Sequence, residues 1–129
     1  MRAGDAFSDA QRAELERVVT NADTLTGLSF LLHVGRIDGG RAGAERLLAG
    51  CGDQAQRTVL VAVDPASRGL HIVTGRRAAE RLDDRTCALA ALAMTSAFSA
   101  GDLVGGIRDG VTLLANHGRQ GAVRHLDTV

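Results

Sequence analysis

The sequence predicts an α/β fold: a three-layer α/β/α sandwich around a small mixed sheet, with a βαβ crossover, a β-hairpin and C-terminal helices. Three observations carry this expectation. Thr58–Asp64 holds the apolar run Val59-Leu60-Val61-Ala62-Val63 with no polar face. A strand apolar on both sides must be covered on both sides, which places it at the centre of a sheet between helical layers. Pro65-Ala66-Ser67-Arg68-Gly69 reads as a turn, and Leu70–Gly75 returns as an antiparallel strand. Upstream, an alternating strand followed by a short helical stretch requires a right-handed crossover into the central strand.

The elements follow in order. Met1–Phe7 is expected to be a loose arm. Ser8-Asp9-Ala10-Gln11 has the capping-box pattern and opens a helix whose Leu15, Val18, Val19 and Ala22 share one face, ending near Asn21–Thr26. Leu28–Val34 alternates as the first strand, apolar on the side of Phe30, Leu32 and Val34. A glycine-rich loop, Gly35–Gly43, enters a short helix at Ala44–Ala49, and Cys51–Gln56 leads to the central strand. After the hairpin, Arg76–Leu82 is a helical turn. Asp83 or Asp84 caps a helix over Arg85–Ala97, and Ser99–Asp102 breaks it and caps the last helix, from Leu103 to His117-Gly118. Arg119–Val129 reads as a tail. No internal repeat or linker divides the chain, so 1–129 is expected to form a single domain.

Composition narrows the function classes. Aromatics are 2% of the 129 residues, with no Trp or Tyr, so stacking platforms for bases or sugars are nearly absent. The formal net charge is zero, and no basic field favours nucleic acid. No apolar stretch approaches the length of a membrane span. The N-terminus carries Asp5 and Asp9 and lacks the apolar core of a leader, so no signal peptide is expected. Cys51 and Cys87 form no CxxC pair and read as free thiols of a reducing compartment, hence a cytoplasmic expectation.

Gly35-x-x-x-x-Gly40 before a helix invites a phosphate-loop reading. Arg41-Ala42 stands where such a loop needs Lys and Ser or Thr, so a crossover loop is the better account. Asp64 ends the central strand, where open α/β sheets bind ligands, but a lone carboxylate also caps turns. Asp83, Asp84 and Asp102 are the best candidates for shared chemistry, because carboxylates from two loops can converge on Ca²⁺ or Mg²⁺. The same three suit N-caps, where a carboxylate satisfies orphan N–H groups without a metal. Gly101-x-x-x-Gly105 and Gly106-x-x-x-Gly110 point to close packing of the last helix.

The second half, about Arg57–Leu114, resembles the TPM domain, a small α/β module of bacterial envelope and thylakoid-lumen proteins. The resemblance runs through Val59–Asp64, Leu70–Gly75, Glu80, Leu82-Asp83-Asp84, Phe98-Ser99-Ala100-Gly101-Asp102-Leu103, Gly106-Ile107 and Gly110-Val111. Leu103 replaces that family's usual aromatic. The resemblance implies divalent-metal binding, acid phosphatase activity, or a role in the assembly or repair of membrane complexes. Two functions follow as expectations. The first is a non-catalytic interaction or adaptor module with an unknown protein partner. The second is a metal-dependent acid phosphatase using Asp64, Asp83, Asp84 and Asp102 as ligands for Ca²⁺ or Mg²⁺.

Overall fold

The computed structural model describes residues 7–119. Helix α1 spans Asp9–Thr26, and its capping box is complete: Ser8 Oγ accepts from the Gln11 N–H at 3.1 Å, while Gln11 Oε1 accepts from the Ser8 N–H at 2.9 Å. Strand β1 (Ser29–Val34) pairs in parallel with β2 (Thr58–Asp64), Phe30 opposite Val59 and Val34 opposite Val63. Strand β3 (Gly69–Thr74) returns antiparallel, with Val61 opposite Ile72. The sheet order is β1-β2-β3, so the chain's most apolar strand is central and β1 is an edge.

All seven residues of β2 are buried. Their side chains divide between two cores. Val59, Val61 and Val63 join Phe30, Val34 and Ile72 beneath α1, α4 (Asp84–Ser99) and α5 (Leu103–His117). Leu60, Ala62 and Val73 face the other way, onto Ala44 and Leu48 of α2 (Gly40–Ala49). Helices on both faces give the expected sandwich. A 3-10 segment, Gly52–Arg57, leads from α2 into β2, and the short α3 (Arg76–Ala79) leads from β3 to α4, both at the opposite end of the sheet from the β2–β3 turn. Phe7, counted with the N-terminal arm, packs half-buried against the larger core. The other residues of the two expected tails, except Arg119, lie outside the described residues.

The glycine-rich loop is shorter than its composition suggests. Helix α2 starts at Gly40 instead of Ala44, because Gly39 caps it from a left-handed φ of 88°. Gly43 then lies so close to the Asp38 carbonyl that a Cβ would collide with it. The glycines bring this turn against its own entrance; they do not form a cradle. The glycines of α5 serve the contact with α4. A Cβ at Gly106 would meet Phe98 and Ala97, and one at Gly110 would meet the buried Met94.

That contact yields a test. Gly110→Val gains only about 0.4 kcal/mol in helix propensity. The branched side chain must displace Met94 from a filled core, which costs about 1–3 kcal/mol. The variant is therefore expected to unfold at lower denaturant concentration than the parent, with an unchanged m-value.

Candidate functional site

The carboxylates selected from sequence do not gather. Asp83 caps α4, accepting from the Thr86 N–H at 2.9 Å, and Asp84 sits in that helix's first turn. Asp102 caps α5, accepting from the Gly105 N–H at 2.9 Å. Between the two caps runs α4 with 16 residues, about 24 Å of helix at about 1.5 Å per residue. Asp83 and Asp84 thus cannot share an ion with Asp102. Among the described residues, no group of three or more His, Cys, Asp or Glu side chains is placed to hold a metal ion. Hydrogen bonds from the Thr86 N–H and hydroxyl, with Arg85 and His117 nearby, hold the Asp83 carboxyl below the usual range.

Asp64 stands at the Asp102 end of the molecule and is already engaged. Its Oδ2 accepts from the Ile37 N–H at 3.1 Å, and its Oδ1 accepts from the Ser67 N–H at 3.4 Å. The Ile37 bond, opposed by burial and aided by donors on Ser67 and Ala66, lowers its pKa. One side chain therefore ties the loop after β1 to the turn after β2. His33 and His71 flank Ala62 on one face of the sheet, two strand spacings or about 9.6 Å apart. The His33 ring is bonded to the Arg36 carbonyl. Cys51 and Cys87 are free and lie on elements covering opposite faces of the sheet, and burial raises the Cys87 thiol.

The feature with open valence lies elsewhere, at the edge of β1. The Gly35 N–H donates to the Val63 carbonyl at 2.8 Å, which fixes the phase of the ladder. Peptide groups at 31, 33 and 35 face β2, and those of Phe30, Leu32 and Val34 face outward. Asp23 Oδ1, from α1, accepts from the outward Phe30 N–H at 2.6 Å. Burial pushes the Asp23 carboxyl up, against the effect of that bond. The N–H groups of Leu32 and Val34 meet no acceptor among the described residues. Along this edge runs a groove of about 610 Å³, lined by Phe7, Leu15, Val19, Phe30, Leu32 and Val34, with Arg12 and Glu16 also contributing. The opposite side of the edge is uncovered as well, with Leu31 41% exposed.

Sequence reasoning missed this site. Its one legible signal was Asp23, a carboxylate in the last turn of a helix, where the macrodipole disfavours negative charge and another reason is needed.

The chain belongs to the family described as a domain of unknown function, DUF5130, whose profile matches residues 2–115. This finding overturns the resemblance to the TPM domain. The features behind that resemblance are demands that any such sandwich makes: an apolar central strand, a tight hairpin, acidic N-caps and small residues between packed helices. No curated protein matches the chain. Two solution structures share the fold. The BA42 protein of the psychrophilic bacterium Bizionia argentinensis superposes with a TM-score of 0.77 at 14% identity, over 86% of this chain and 80% of that one. The N-terminal domain of the cg2496 protein of Corynebacterium glutamicum gives 0.75, also at 14% identity, over 94% and 81%.

The role of Asp64 can be tested by acid. A carboxyl whose pKa is lowered by folding stabilises the native state above its unfolded pKa of about 3.9, and that contribution fades as pH falls through the folded value. Asp64→Asn is expected to melt below the parent at pH 7. The gap should begin to narrow below about pH 4, where the unfolded carboxyl takes up its proton, and close as pH falls through the lower folded value. A gap independent of pH would mean that the charged form carries none of the effect.

Proposed function

We propose that this DUF5130 member is a non-catalytic interaction module that accepts an extended segment of a partner protein as a fourth strand on β1. The carrying observation is the outward row of peptide groups at Leu32 and Val34, which find no partner among the described residues, set beside an apolar groove. Soluble proteins blunt such edges with charges, prolines or bulges. Ser29-Phe30-Leu31-Leu32-His33-Val34 carries no Asp, Glu, Lys, Arg or Pro. Strand addition supplies the missing backbone partners, and alternate side chains of the incoming segment enter the groove.

The arithmetic points to a modest affinity. Each backbone bond contributes about 0.5–1.5 kcal/mol net, and association costs at least about 4 kcal/mol. The backbone bonds at Leu32 and Val34 alone therefore barely offset association, so side chains entering the apolar groove must supply most of the affinity. No described helix is long and apolar enough to cross a membrane. The free thiols support a reducing, cytoplasmic setting.

The test is a titration of ¹⁵N-labelled protein with a blocked peptide of alternating valine and threonine, flanked by lysines for solubility. Amide signals of Leu32 and Val34 should shift and slow their exchange with water. A version N-methylated at alternate residues, which cannot complete the ladder, should not bind. Equal binding of both peptides, or shifts that avoid β1, would refute strand addition.

A further inference from the structure

Beyond the edge of β1, a second concave site lies at the carboxyl end of β2. It is a cleft of about 360 Å³ between the β2–β3 turn and the junction of α4 with α5. Val63, Leu70, Phe98 and Leu103 make its apolar walls, with Arg68 and Ser99 among its polar lining. Ligands of open α/β sheets bind at this end of the strands. The volume sits at the small end of ligand pockets, roughly 300–1,000 Å³.

Arg68 is the unusual residue. Its φ of 59° makes it the one non-glycine residue in the left-handed region among the described residues. Glycine, asparagine or aspartate normally fills such a turn position, because a longer L side chain is strained there. Backbone strain of this kind clusters at ligand and switch sites. The Arg68 guanidinium also has no ion-pair or hydrogen-bond partner among the described residues. Its neighbour Asp64 is committed to Ile37 and Ser67.

We propose that this cleft binds a carboxylate bearing a short apolar chain, with the Arg68 fork on the carboxylate and the chain between Leu70, Phe98 and Leu103. A planar guanidinium matches a carboxylate in bidentate geometry. Charge balance selects the ligand class. Arg68 and Asp64 are the charged residues of the lining, so the cleft is formally neutral and takes a monoanion more readily than a phosphate dianion. Apolar walls on several sides require a hydrocarbon body, so acetate is too small to bind well.

Such a ligand is either a free branched-chain acid or the C-terminal apolar residue of a peptide. The experiment is an NMR titration with 3-methylbutanoate, 3-methylbutylamine, inorganic phosphate, and an acetylated alanyl-valine with either a free or an amidated carboxyl end. The acid is expected to shift the amides of Gly69, Leu70 and Leu103; the amine, phosphate and amidated dipeptide should not. Tighter binding of the free-carboxyl dipeptide than of the acid identifies a peptide terminus, and the reverse identifies a small acid. Arg68→Gly should weaken binding at least tenfold while melting no lower than the parent, since glycine adopts this φ without strain. Undiminished binding in Arg68→Gly, or no shift at the cleft by tens of millimolar acid, would overturn the proposal.

Discussion

The burial of β2 is the constraint from which the rest of the structure follows. Seven consecutive residues lose essentially all contact with water, and only Thr58 and Asp64 at the two ends carry polar side chains. Both ends are satisfied: Thr58 Oγ1 donates to the Gln54 carbonyl at 2.7 Å, and Asp64 accepts from the Ile37 and Ser67 N–H groups. A strand so apolar needs a neighbour on each edge and a layer on each face. The chain supplies them with two further strands, three helices on one side and one on the other.

That economy has a consequence at β1. On the larger core's face, α1 covers the strand, α5 packs beside α1, and α4 completes the layer toward β3. On the other face the ten-residue α2 covers β2 and β3, whose Leu60, Ala62 and Val73 it buries, and leaves Leu31 in water. Beyond β1 there is no fourth strand among the described residues. The fold therefore presents an open ladder beside an apolar groove. Asp23 closes only its first position.

How much of this was readable depends on the range of the interaction involved. The central strand, the hairpin, the Ser8 capping box and the acidic caps at Asp83 and Asp102 rest on contacts a few residues apart, and each shows in the sequence. The start of α2 was misplaced, because composition alone does not reveal that Gly39 turns left-handed and that Gly43 must touch Asp38. The grouping of Asp83, Asp84 and Asp102 failed for a simple reason of length. Caps at opposite ends of a 16-residue helix stay apart, whatever their charge. The Asp23–Phe30 bond needs the strand phase, so the misplaced charge of Asp23 hints at it without naming its partner, and the strain at Arg68 needs the backbone angle, which has no local signature. The misdirected TPM resemblance has the same origin, since capping and packing residues recur wherever this architecture does.

Amide hydrogen exchange along β1 in the free protein tests the central claim most directly. If the edge is open, the Phe30 amide, held by Asp23, exchanges slowly, together with Leu31 and His33, which face β2. Leu32 and Val34 should then exchange far faster, in strict alternation. Slow exchange at Leu32 and Val34 to the same degree as at Leu31 and His33 would contradict the account, because something would already occupy the edge.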